Sequence, residues 1–377
     1  MNYCNDDFKL FLAEHRVFDA WQFLANTNNN ILIAEYCSKI IEKSIEKIIL
    51  EHDNFQTKLN NQIQCTIKEG GGSISMGIDD IPQNTVTILE MEVSLYFIIE
   101  KYLKDFFQYI RNSFDIVGQF LNAALLANVG LNIDIVDFQS IYNEFKKYKD
   151  IFPKTFKAVE NTKHNEIYKY ISAFNNRVKH TYDVQNIISL SIFDDKKKIV
   201  ISEFQKYGKV YPEEDMLNKI NEVLVFTQKA INNIIDSSYS EIKLYKFNKN
   251  RIHDVYYYVQ DMENVSSNFT TIHIEVGNDT LELPSEIGVL LLKEKENEIE
   301  AINCDYEDIL IKNSSGKYIG RFITEDKIEK DGLIKYRKYK LDNKVDCNTA
   351  FIEHINKKYG FKPLVMDGKI VTDKYND

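Results

Sequence analysis

Apolar residues recur at three- and four-residue spacing over most of the first 240 positions, the pattern of helices packed on one face. Residues 6–25 carry Phe8, Leu12, His15, Phe18 and Phe23 at that spacing and predict a first helix. The Asn run at 28–30 predicts its end. A second helix is expected over 31–59, with Ile33, Tyr36, Ile40, Ile45 and Ile48 on one stripe. Gly70-Gly71-Gly72 and Gly77 interrupt the pattern, so 65–82 reads as a loop or small hairpin. The longest helical signal runs from about 84 to 128, with one break expected between Arg111 and Gly118. Residues 136–148 and 165–188 predict two more helices. Pro212 suits the first turn of another that reaches about 236.

Beyond 240 the period shortens to two. Val255 to Val259 and residues 271–276, 299–302, 309–312, 317–323 and 333–341 are short, β-branched or aromatic, and bounded by turn residues. Asn313-Ser314-Ser315-Gly316 and Asp367-Gly368 suit hairpin turns, and 351–359 predicts a short helix. No repeat of fixed period is present. The expected fold class is α+β: an N-terminal all-α helical bundle over 1–240, then a smaller β-rich α+β domain over 241–377.

Composition agrees with this picture. A chain of 377 residues suits two domains, and 44% hydrophobic with 12% aromatic residues suffices for packed cores. Gly and Pro are scarce, at 14 and 5, which favours long helices. A net charge of −10 argues against a protein that coats nucleic acid or a membrane surface, while leaving room for a local basic site. The five cysteines are isolated and form no CxxC pair, so neither a zinc site nor a disulfide framework is expected, and free thiols fit a reducing cytoplasm. No signal peptide is visible and no stretch approaches the roughly 20 apolar residues that span a bilayer. The sequon matches at Asn264 and Asn268 are expected to be chance.

Candidate chemistry concentrates in Phe174-Asn175-Asn176-Arg177-Val178-Lys179-His180. Asn176 and His180 are four apart and share one face of a helix. A His presented beside polar groups can move protons near neutral pH. The same residues also suit a plain helix end, where cations and His meet the last carbonyls.

This motif resembles that of the HEPN superfamily of small, often dimeric helical bundles, many of them metal-independent ribonucleases of toxin, antiphage and RNA-processing systems. Bacterial members often carry Arg-Asn-x-x-Lys-His late in the bundle. Asn176, Lys179 and His180 match that form, whereas the signature Arg falls on Asn175. Upstream, Tyr109-Ile110-Arg111-Asn112-Ser113-Phe114-Asp115 is similar to an earlier core helix of some members, so the resemblance covers about 85–190. It implies that His180 acts as base or acid on a ribose 2′-OH, with Asn175 and Asn176 beside it. With Asn at 175, the cation that stabilises phosphate charge must come from Arg177, Lys179 or Arg111. Asp115 would orient Arg111 or His180, and a second chain of a homodimer could supply Arg111. No cofactor and no metal are implied.

Other signals are weaker. The Gly70 loop lacks the Lys-Ser/Thr ending of a phosphate-binding loop. Lys335-Tyr336-Arg337-Lys338-Tyr339-Lys340 interleaves cations and aromatics, which suits RNA contact or protection of a sheet edge. Asp305, Glu307 and Asp308 read as a solvated turn, and the remaining His residues are scattered without metal-ligand spacing. Three functions stay open: a HEPN-type ribonuclease serving as a conditional toxin or antiphage effector; a catalytically inactive HEPN-like bundle that binds RNA, nucleotide or a protein partner; and an unrelated two-domain interaction protein. In the first, the C-terminal domain would serve as a sensor, substrate or protein-partner module.

Overall fold

The computed structural model describes residues 4–15, 17, 20–73, 77, 81–126, 130–192, 194, 196–244, 255–259, 271–275, 283, 285–295, 298–302, 307–313, 315, 317–324, 337–342, 357–359 and 364–367. The protein is α+β, with a helical N-terminal region and a later β-sheet region.

Helix α1 (Asp6–Glu14) starts where the Asn5 side chain accepts a hydrogen bond from the Phe8 amide at 2.8 Å. It ends well short of residue 25. The next helix, α2 (Ala20–Lys68), is 49 residues long and runs straight through Asn28–Asn30. The expected break is absent because the buried stripe is continuous there, through Phe23, Thr27, Ile31 and Ala34. An Asn inside a helix costs only about 0.7 kcal/mol relative to Ala, and Asn30 donates its amide to the Asn26 carbonyl at 2.8 Å. Packing outweighs propensity at this point.

A hairpin, β1 (Thr85–Ile88) and β2 (Met91–Ser94), occupies the segment where the long helical signal was expected to begin. Helix α3 (Leu95–Leu121) then runs unbroken past Arg111 and Gly118 into a single π turn at Asn122–Leu126. Helix α4 (Phe138–Phe145) opens with a reciprocal cap between Asp137 and Ser140. Helix α5 (Pro153–His164), unanticipated in the sequence, precedes α6 (Glu166–His180). Residues 186–188, expected to continue α6, are instead in β3 (Asn186–Leu190), which pairs with β4 (Lys197–Ile201). A hairpin of β5 (Phe204–Lys206) and β6 (Lys209–Tyr211) follows, then β7 (Glu214–Asp215) against β4, and α7 (Met216–Leu244). Among its described residues the helical region therefore carries seven short strands that its apolar periodicity did not announce.

The later region holds one mixed sheet. Its strands are β8 (Val255–Val259), β9 (Thr271–Glu275), β10 (Glu286–Lys295), β11 (Glu298–Ile302), β12 (Asp308–Lys312), β13 (Tyr318–Ile323), β14 (Arg337–Leu341), β15 (Lys357–Tyr359) and β16 (Leu364–Asp367). The order is β11-β10-β14-β13-β12-β9-β8-β15, with β16 also on β10. Among the described residues, only β9 and β12 pair in parallel. The Asn313 turn joins β12 to β13, its side chain accepting from the Lys317 amide at 2.8 Å. Residues 357–359 are strand rather than helix; the rest of the helix expected over 351–359, and the turn at Gly368, lie outside the described residues.

Neither compact unit of the chain is one continuous run. One combines 26–115 with 158–234, the other 2–25 with 116–157 and 235–377. The boundary expected at 240 falls inside α7.

Candidate functional site

Helix α6 is set from its ends inward. The Asn165 side chain caps it by accepting from the Ile167 amide at 2.8 Å, Glu166 lies in the first turn, and Arg177, Lys179 and His180 fill the last. This placement of charge suits the helix dipole at both ends. The buried side carries Tyr168, Tyr170, Ile171, Ala173, Phe174 and Asn175. Asn175, where the resemblance leads one to expect Arg, is only 6% exposed.

The aromatic part of that side packs on α3. Phe114 meets Tyr168 edge-on with centroids 5.1 Å apart, and Phe107 stacks on Phe174 at 4.0 Å. Sequence numbers rise along α3 as they fall along α6, so the two helices run antiparallel. Beyond the end of α6, Lys104 of α3 pairs with Asp183 at 2.9 Å. Arg111 belongs to the other end of this pair. Its guanidinium bonds Asp115 and sits 5.7 Å from the centre of the Tyr168 ring. Tyr168 precedes His180 by twelve residues, about 18 Å along a helix rising about 1.5 Å per residue. Within one chain, Arg111 and Asp115 are therefore not brought to His180.

What the chain does bring to α6 is the β5–β6 hairpin. Phe204 and Tyr211 face each other across it, stacked at 4.9 Å. Both contact Tyr170, at 5.3 and 5.6 Å, and Phe204 also meets Phe174 edge-on at 5.9 Å. Each buried ring contributes about 1.5–3 kcal/mol by leaving water. Polar contacts then fix the hairpin along the motif. Asn176 donates to the Tyr207 hydroxyl at 3.1 Å, Arg177 to the Gln205 carbonyl at 2.7 Å, and Lys206 to the Thr181 hydroxyl at 3.0 Å. Lys209 reaches Glu166, which Lys169 also holds at 2.7 Å.

The charge of this face is lopsided. Helix α6 and the hairpin together present Lys169, Arg177, Lys179, Lys206 and Lys209 against the single carboxylate of Glu166. Among the described residues, Arg177, Lys179 and Lys206 have no carboxylate partner. Asp183, Glu203 and Glu213 to Asp215 flank the segment in sequence; Lys104 engages Asp183, Lys198 engages Glu213 and Lys219 engages Glu214. His180 is exposed at the helix end, and its side chain bonds no described residue. In a chain of net charge −10, this is a local inversion of sign.

The two lysines, Lys169 first and then Lys209, hold the Glu166 carboxyl down at about 2. A carboxylate depressed by folding contributes stability above its ordinary value of 4.5 and loses it as pH falls through about 2. The ring resonances of Tyr211, followed by NMR, are therefore expected to hold steady to about pH 4 and to shift only as pH approaches 2. A midpoint near 4.5 would show that the lysines do not hold Glu166.

The basic stripe of the β-rich region is arranged differently from its sequence pattern. Lys335 and Tyr336 lie outside the described residues. Arg337 and Lys338 are half-buried on β14, which lies between β10 and β13 and so has no free edge to protect. Tyr339 is fully buried under the Arg337 guanidinium, 5.8 Å from it, and Lys338 donates to the Gly130 carbonyl at 2.8 Å. Asp308 pairs with Arg321 at 2.7 Å, and Glu307 is exposed. Among the described residues, no group of three or more His, Cys, Asp or Glu is placed to hold a metal ion, and no helix is long and apolar enough to cross a membrane.

The hairpin was missed in the sequence, although it carries a signal. Gly208 stands between two short runs with aromatic ends, Phe204–Lys206 and Lys209–Tyr211, a weak cue for a hairpin.

Comparison with known proteins adds one match. Residues 253–371 match the model of Domain of unknown function (DUF8310), which covers less than half of the chain and none of α6 or the hairpin. No curated protein and no solved structure matches the chain.

Proposed function

We propose that the helical region is a HEPN-like module that binds RNA through the end of α6 and the β5–β6 hairpin, without an assembled cleavage centre in the single chain. The excess of five cations over one carboxylate on contiguous elements carries this reading. Phosphate is the ligand that such a face suits: Arg offers forked donors and Lys a mobile point charge. Arg111 takes no part, being held by Asp115 and Tyr168. Asn175 has no charge and is turned inward. Asn176 serves the hairpin rather than a reacting group. Binding would take place in the cytoplasm, with the β-rich region free to take a protein partner.

A second reading is favoured by His180 alone, which is exposed and whose side chain bonds no described residue. In a homodimer, a partner chain's Arg111 could meet it and complete a metal-independent ribonuclease, a conditional toxin or antiphage effector.

One experiment separates the two. Purified protein is mixed with labelled total RNA and tRNA in EDTA, beside His180→Ala and Arg111→Ala. The proposal expects RNA to be bound and left intact by all three. Cleavage that survives EDTA and disappears in both variants would establish the second reading. No binding and no cleavage would exclude both.

A further inference from the structure

The tip of the hairpin is built at a conformational cost that the fold does not need. Tyr207 has φ +53° and Gly208 φ +76°, the left-handed pair of a two-residue turn. Gly, Asn and Asp adopt this geometry readily; a bulky aromatic residue does so against its own side chain. Tyr207 is 77% exposed, so burial does not offset the cost; Leu89 at the tip of the β1–β2 hairpin (φ +48°, 87% exposed) is alike in this, and what sets Tyr207 apart is how its ring is held. The aromatic packing of the hairpin comes from Phe204 and Tyr211, at its base.

The ring is also held. Asn176 donates to its hydroxyl at 3.1 Å, and the Lys206 ammonium sits 5.3 Å from its centre. Lys206 is itself tied to Thr181 at the end of α6, next to His180 and one residue beyond Lys179's neighbour. A flat, oriented, solvent-facing ring thus stands among cations that lack carboxylate partners. An exposed, strained ring that is also held in place by Asn176 and Lys206 points to use rather than to packing.

We infer that Tyr207 is a stacking platform for an unpaired base, so that the ligand of this face is single-stranded RNA rather than duplex. This inference rests on the RNA-binding reading above and names its substrate class. Lys179, Arg177 and Lys206 take backbone phosphates, and the ring takes the base between them. Every base has a π face, so such contacts tolerate sequence. In a duplex, bases are stacked on one another and offer no free face to the ring. Asn176 is a positioning residue for the platform.

The test uses the full chain with a fluorescently labelled RNA of about a dozen nucleotides, single-stranded or annealed to its complement, and follows anisotropy. Tyr207→Asn suits the left-handed turn better than Tyr does, so this variant is expected to melt no lower than wild type. Its affinity for the single strand is expected to fall about 5- to 150-fold, the range that loss of one stacked base gives, with duplex binding unchanged. Tyr207→Phe retains the ring and loses only the Asn176 bond, so it is expected to lose less than about threefold, well short of Tyr207→Asn.

Single-strand binding by Tyr207→Asn equal to wild type would overturn the platform. So would equal losses on single strand and duplex, or a Tyr207→Phe variant as weak as Tyr207→Asn. Wild type that binds both RNAs equally, with Lys179→Glu weakening both, would retain the RNA-binding reading and remove this one. Wild type that binds neither would remove both.

Discussion

A Lys179→Glu, Lys206→Glu double variant is expected to bind single-stranded RNA about a hundredfold more weakly than wild type at 0.1 M salt. Each phosphate neutralised on a single strand releases about 0.7 of a counterion, so one contact changes affinity by about 0.7 of a tenfold step between 0.1 and 1 M salt. Removing two contacts accounts for a factor of about 25, and the two new negative charges repel the backbone for the remainder. The slope of log affinity against log salt is expected to become shallower by about 1.4. Neither lysine holds a buried group. Lys179 is exposed, and the Lys206 bond to Thr181 lies at the surface, where loss of one such contact costs little. The fold should therefore survive, and circular dichroism with a melting curve checks that it does. An unchanged salt slope in a folded double variant would mean that RNA does not touch this face.

The largest effect on stability is expected at Glu241. This carboxylate, on α7, is 4% exposed and faces the first turn of α5. It accepts from the amides of Lys154 and Thr155, at 2.8 and 3.1 Å, and from the Thr155 hydroxyl at 2.5 Å. Helix α5 begins with Pro153, and its free N–H groups carry the positive end of the helix dipole. One side chain thus satisfies three donors and supplies the charge that they favour. Glu241→Ala leaves those donors unpaired beside the fully buried Thr155, and a loss of about 2–4 kcal/mol is expected in urea unfolding. Glu241→Gln keeps one acceptor oxygen without charge and should lose about half as much. A Glu241→Ala variant within about 0.5 kcal/mol of wild type would show that α5 does not depend on this cap.

The sequence made the helices legible wherever an apolar stripe was long and strongly periodic, as over Leu95–Leu121 and Glu166–His180. It misjudged what ends them. The Asn run at 28–30 looked like a stop, yet Asn is only a weak helix former, and a stripe buried on both sides carries the helix through. The strands of the helical region are three to five residues long in most cases, too short for a period of two to stand out from neighbouring helical pattern. In the β-rich region, six strands could be placed from β-branched and aromatic runs, while β10 was overlooked although it is the longest and pairs with three others. The candidate site was half visible. The Asn176–His180 motif stood out by residue type. Its covering hairpin did not, because the contacts that join them span 25 to 43 residues and only folding brings them together.

The Glu241 cap also bears on how the protein can be dissected. Expressing residues 1–240 alone would follow the visible change in sequence pattern, but it would cut α7 one residue before the carboxylate that α5 needs. The complementary piece from 241 would lack residues 2–25 and 116–157, which belong to the same compact unit. Insolubility of either piece would then report a severed unit and an uncapped helix, and would say nothing of whether the β-rich region chaperones, inhibits or recruits for the helices. Point variants in the intact chain are the cleaner way to separate their roles.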